Sequence, residues 1–237
     1  MGRGPSIEGR KNAEDAKRAK VFTKLIRDIT LAARNGADPA GNAKLRGAMD
    51  KALAANMSKD TMERAIRRGS GADGGADMQE LRYEGYGPGG VAILIDALTD
   101  NPVRTVAEVR HALNKHGGNL GTSGSVAFQF ARTGQFWIKT DDSASEDALM
   151  EAAIEAGADD VQSSEGWSEV LCAPDRFDAV EKALVAAGFT ADSADVVMRP
   201  DNLTAVTDEI AGAMRTLIER LEDLDDVQDV YHNADLP

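Results

Sequence analysis

Between Lys11 and Arg34, Phe22, Leu25, Ile26, Ile29 and Ala33 recur at helical spacing and mark one apolar stripe. At roughly 100° per residue, Lys17, Lys20, Lys24 and Arg27 fall on the opposite face. The pattern predicts a helix ending near Asn35-Gly36, where a left-handed cap is accessible. A second helix is expected from Asn42 to Asn56, with Leu45, Met49, Ala52 and Leu53 inward. A third starts between Ser58 and Asp60, where Asp60 and Glu63 have capping-box spacing, and ends at Gly69 after Arg64, Arg67 and Arg68. Three short helices with brief connections form a small bundle. Gly69 to Asp77 (GSGADGGAD) carries no large apolar residue and is expected to be a linker.

Beyond the linker the period changes. VAILIDAL (Val91–Leu98) reads as a strand, followed by a helix over Val103–Lys115 and a strand over Ser125–Phe130. A βαββαβ string comes next, with strands Gln135–Lys139, Asp160–Ser163, Glu169–Cys172 and Ala194–Met198 and helices Ser145–Ala156 and Arg176–Ala187. That order is a ferredoxin-like unit. A helix over Asp208–Leu224 and a strand over Val227–Tyr231 then complete the layer begun at Val91, so the ferredoxin-like unit is expected as an insertion. The fold class is α+β in three domains: an all-α amino-terminal three-helix domain and two α/β sandwich domains, the third inserted into the second. The boundaries are 1–70 for the basic helical domain, 71–79 for the linker, 80–132 with 204–237 for the discontinuous α/β domain, and 133–203 for the insertion.

Charge divides along the same line. The chain has a net charge of −13, yet residues 1–70 hold 16 Lys plus Arg against 8 Asp plus Glu, and the remainder is net −21. A basic module joined to an acidic body suits a polyanionic partner at one end. No apolar run is long enough to span a bilayer, and the amino terminus has no apolar signal region. One cysteine, Cys172, fits a reducing compartment, and the expected location is the cytoplasm.

Catalytic chemistry is sparse in the sequence. Gly85, Gly87 and Gly90 match G-x-G-x-x-G, but they precede a strand and contain Pro88, so a tight turn is expected in place of a dinucleotide site. GTSGS (Gly121–Ser125) lacks the closing glycine of a nucleophile elbow. His111, His116 and His232 have no metal-ligand spacing, and Cys172 reads as buried packing. The acidic run Glu222, Asp223, Asp225, Asp226 and Asp229 lacks an EF-hand pattern and reads as a solvated face. No catalytic residue, cofactor, metal or small-molecule substrate is assigned. Phe128 and Phe130, two apart on an expected strand, could form a base-stacking platform, although core packing fits them better. Candidate nucleic-acid-binding residues are Arg10, Lys11, Lys17, Lys20, Lys24, Arg27, Arg64, Arg67 and Arg68. For the last three, phosphate binding competes with a purely structural role at a helix carboxyl end.

DAKRAKVFTKLIRDITLAAR (Asp15–Arg34), NMSKDTMERAIRRGSG (Asn56–Gly71), YEGYGPGGVAILID (Tyr83–Asp96), NLGTSGSVAF (Asn119–Phe128) and LEDLDDVQDVYHNADL (Leu221–Leu236) together resemble the YebC/PmpR family, which includes a mitochondrial translational activator of cytochrome oxidase. The resemblance implies a helical domain followed by two α/β domains, the third inserted into the second. It also implies a DNA-binding transcriptional regulator, or alternatively a ribosome-associated translation factor binding ribosomal RNA. Many members begin with a segment containing His, Trp and extra Lys, whereas this chain has Gly4, Pro5, Ser6, Ile7 and Glu8 there. A non-enzymatic regulator that binds nucleic acid as a monomer is the leading expectation. An acidic interaction module for a basic protein partner is the reading from another class.

Overall fold

The computed structural model describes residues 21–72, 78–140, 142–164 and 166–236. It divides into two compact units: residues up to 126 together with 204–237, and residues 127–203.

The first unit opens with three helices, α1 (described over residues 21–33), α2 (Ala43–Ala54) and α3 (Lys59–Gly69). Ile29, Ala32, Ala33, Leu45, Ala52, Met57, Met62 and Ala65 form their buried core, with Phe22, Leu25 and Ile26 packed against it. Asn42 connects the first two helices. Its carboxamide oxygen accepts from Leu45 N at 3.0 Å, and its Nδ2 donates to the carbonyls of Ala32 and Gly36 at 2.8 Å each. One side chain therefore serves the orphan groups at both helix ends. The third helix begins as expected, but its cap is Ser58, which accepts from Thr61 N, and not Asp60. Leu53, expected inward, is 51% exposed, since at about 100° per residue it stands well round the helix from buried Ala52.

After residue 78 a four-stranded antiparallel sheet has the order β3-β1-β2-β9: β1 (Gln79–Tyr86), β2 (Ala92–Thr99), β3 (Asn119–Leu120) and β9 (Val227–His232). Helices α4 (Pro102–Lys115) and α7 (Asp208–Glu222) pack on it through Val109, Leu113, Met214, Leu217 and Leu221. Strand β1 was not anticipated, since QELRYEGY carries charge where a core strand would carry apolar side chains. Buried Glu84 explains part of this: its carboxylate accepts from Gly124 N at 2.7 Å and Val126 N at 2.8 Å, fixing the loop after β3. The GYGPGG segment is the β1–β2 turn, with Gly89 and Gly90 at φ +73° and +76°. A short parallel pair, β8 (Thr204–Ala205) and β10 (Ala234–Asp235), closes the unit.

The second unit is the ferredoxin-like string: β4 (Phe130–Lys139), α5 (Ser143–Glu155), β5 (Asp160–Ser164), β6 (Trp167–Cys172), α6 (Phe177–Ala186) and β7 (Ser193–Pro200). Its sheet order is β5-β6-β4-β7, antiparallel throughout. The expected strand Ser125–Phe130 does not form; Ala127–Gln129 is a 3-10 turn leading into β4. Phe128 is 74% exposed on that turn while Phe130 is buried, so the two do not share a face and make no stacking platform. Cys172 is fully buried on the inner face, and burial pushes its thiol up to about 11. From an ordinary value of 9.0, alkylation of the native thiol is expected to run about a hundredfold or more slower than in denaturant, a difference timed with a thiol reagent.

Candidate nucleic-acid interface

The nine cations singled out in the sequence meet three different situations. Arg10, Lys11, Lys17 and Lys20 lie outside the described residues. Lys24 and Arg27, on α1, are drawn together onto the acidic segment between α7 and β9. Arg64, Arg67 and Arg68 stand exposed on the last two turns of α3.

The Lys24 ammonium donates to the Glu222 carbonyl at 2.6 Å. Burial lowers its pKa, against the opposing pull of the Glu222, Asp229, Asp223 and Asp28 carboxylates. Arg27 donates to the Asp225 carbonyl and pairs with the Asp226 carboxylate at 2.8 Å, with only 17% of its side chain exposed. Asp226 is almost completely buried. It accepts from Arg104 at 2.8 Å and from the Thr105 hydroxyl at 2.7 Å in addition to Arg27. Burial alone would raise its pKa, but the Thr105 and Arg104 hydrogen bonds and the charges of Arg27 and Arg104 hold it below the ordinary carboxylate value. The acidic run is therefore not a uniformly solvated face. Turning the chain from α7 into β9 carries Asp226 inward, where Leu98 N also donates to its carbonyl at 2.8 Å. Unpaired, such a carboxylate would be too costly to bury, so two guanidinium groups accompany it.

Arg64, Arg67 and Arg68 have a different environment. Met62 and Ala65 turn into the core, leaving the arginines outside. Arg64 pairs with Asp60 at 2.7 Å, but both side chains are more than half exposed. Such an i,i+4 pair contributes little and yields readily to a stronger anion. Lys44, Arg46, Lys51 and Lys59 are also exposed on this domain. They stand singly in the sequence, yet their signal is present: on α2, Lys44, Arg46 and Lys51 are exposed while Leu45 and Ala52 are buried, and Lys59 opens α3. Arg46 reaches back to the Pro39 carbonyl at 2.9 Å, and its guanidinium remains at the surface.

The arrangement holds exposed, positively charged side chains on short rigid helices, which suits phosphate contacts and assigns no base-reading helix. Among the described residues no group of His, Cys, Asp and Glu has the geometry to hold a metal ion. No described helix is long and apolar enough to cross a membrane.

Comparison with known proteins covers nearly the whole chain. Residues 4–72 match the family model described as the TACO1/YebC protein N-terminal domain, and residues 78–234 match that of the TACO1/YebC second and third domain. A Stenotrophomonas maltophilia protein named as a "probable transcriptional regulatory protein" is 57% identical over 239 residues, spanning 100% of this chain and 98% of its own length. A relative of the same description from Xanthomonas euvesicatoria is 58% identical over 238 residues, with 99% and 98% covered. The crystal structure of a conserved hypothetical protein from Aquifex aeolicus superposes with a TM-score of 0.84 at 40% identity, covering 94% of this chain and 92% of the other.

Proposed function

Because this chain belongs to the TACO1/YebC family, we propose that it is a non-enzymatic regulator of gene expression that binds nucleic acid through its helical domain. The names of its relatives, probable transcriptional regulatory proteins, support the regulatory role. The observation that carries the binding surface is the exposed arginine cluster Arg64, Arg67 and Arg68 on a domain of net charge +8, joined to a remainder of net charge −21. Polyanions are repelled by that remainder and attracted to the bundle. Lys24 and Arg27 belong to this surface in a secondary way, since their charge is already answered by Glu222, Asp225 and Asp226. Arg10, Lys11, Lys17 and Lys20 are further phosphate-contact candidates in this reading. DNA and structured RNA share the phosphate chemistry involved, so both are ligands to test.

The test is a salt titration of binding to a duplex DNA and to an RNA hairpin. Replacing Arg64, Arg67 and Arg68 with Gln is expected to weaken binding to the physiological ligand about tenfold or more at moderate salt. The slope of log affinity against log salt should fall by about two to three, one counterion per lost contact. A variant with the parent's affinity and slope would remove α3 from the interface.

A further inference from the structure

The two tryptophans of the chain, Trp137 and Trp167, lie on one face of the ferredoxin-like unit. They stand on β4 and β6, the two central strands of the order β5-β6-β4-β7. Phe136 and Ile138 on β4, and Val170 and Cys172 on β6, turn inward against α5 and α6. By strand alternation Trp137 and Lys139, with Trp167 and Glu169, turn outward to the face that carries no helix of this unit. Register places Trp137 opposite Glu169 and Lys139 opposite Trp167, so the two indoles are diagonal neighbours. They are 39% and 37% exposed.

Tryptophan exposed on a sheet centre is unusual, and aromatic anchors of this kind concentrate at recognition surfaces. Two ligands use a paired aromatic platform: unstacked bases, and cations held over the ring faces. Charge decides between them. Residues 127–203 contain 16 Asp plus Glu against five Lys plus Arg, a field that repels phosphate and attracts cations. The face also shows guanidinium recognition within the chain, since Arg199 pairs with Glu169, whose other partner is the Gln135 amide. We infer that the exposed Trp137 and Trp167 on this sheet face form a docking surface for an arginine-rich segment of a protein partner. Guanidinium groups stack on the indoles while the net negative charge of the unit supplies long-range attraction. Arg is favoured over Lys because its planar cation stacks and is more weakly hydrated. This proposal uses none of the residues proposed above for nucleic acid.

Because these are the only tryptophans, intrinsic fluorescence reports the face directly. The full-length protein is titrated with an octa-arginine peptide, an octa-lysine peptide and a single-stranded oligonucleotide of eight nucleotides. The expected result is a saturable change in tryptophan emission with the arginine peptide, binding at least threefold tighter than the lysine peptide. Trp137→Ala and Trp167→Ala, followed with a labelled peptide, should each weaken binding about three- to tenfold. Trp137→Phe and Trp167→Phe should retain most of it, and circular dichroism checks each fold. Unchanged affinity in both alanine variants would overturn the proposal, leaving diffuse charge attraction only. Emission changes produced by the oligonucleotide and not by the peptide would also overturn it, in favour of base stacking.

Discussion

Replacing Gly69 with alanine is expected to destabilise the helical domain by about 3 kcal/mol, the upper end of ordinary overpacking. Gly69 is the last residue of α3, and a Cβ built there would lie 2.0 Å from the Thr30 carbonyl oxygen and 2.9 Å from Ala33 Cβ. Both neighbours belong to α1, so the obstruction is largely backbone and cannot turn aside like a flexible side chain. Relief requires α1 and α3 to separate, which exposes Met62, Ala65 and Ile29 of the shared core. Gly47, within α2, supplies the opposite case: nothing lies within 4 Å of its Cβ. There alanine should stabilise by about 0.5–1 kcal/mol through helix propensity alone. Thermal and urea unfolding of the two variants should therefore move in opposite directions. Equal, small effects at both positions would show that the helices are not in contact at Gly69.

Asp226→Ala should cost about 3 kcal/mol, measured as a shift in the urea midpoint. Removing the carboxylate leaves Arg27 and Arg104 facing each other without the group that joins them, and leaves the Thr105 hydroxyl without one acceptor. Arg104 is 42% exposed and can turn partly to water, which places the cost at the lower end for a broken buried pair. Asp226→Asn keeps the shape and should cost less. The pH dependence follows from the sign of the shift. The folded carboxylate titrates below its ordinary value of 3.8, so its stabilisation is fully present above about pH 4 and is lost as pH falls through the lower folded value. The stability difference between the parent protein and Asp226→Asn should accordingly shrink below about pH 4. A difference that grows on acidification would contradict the assignment.

Elements with strong periodicity were legible in the sequence. The stripe of α1, the VAILIDAL strand and the alternating βαββαβ string all place their apolar side chains as the hydrophobic period requires. β1 was not legible, because Glu84 is buried by two loop N–H donors that lie 40 and 42 residues away in the chain. The strand expected at Ser125–Phe130 shows the converse error. Its apolar content is real, but Val126 is buried before the 3-10 turn Ala127–Gln129 and Phe130 after it as the first residue of β4, so no continuous strand joins them. For the candidate interface, helical phase correctly separated Lys24 and Arg27 from the core. It had no means of showing that Glu222, Asp225 and Asp226, about 200 residues later, would cover them. Trp137 and Trp167 were passed over for the related reason that each is one residue in its own strand; only the strand register brings them together.

Mapping of photo-crosslinks tests the central claim most directly. The full-length protein is bound to bromodeoxyuridine-substituted duplex DNA and to thiouridine-substituted RNA hairpins, irradiated and digested, and the modified peptides are identified by mass spectrometry. If the helical domain makes the contact, crosslinks fall within residues 1–72, with peptides around Arg64, Arg67 and Arg68 prominent, and they disappear as salt rises. Crosslinks concentrated in residues 78–236 would contradict it.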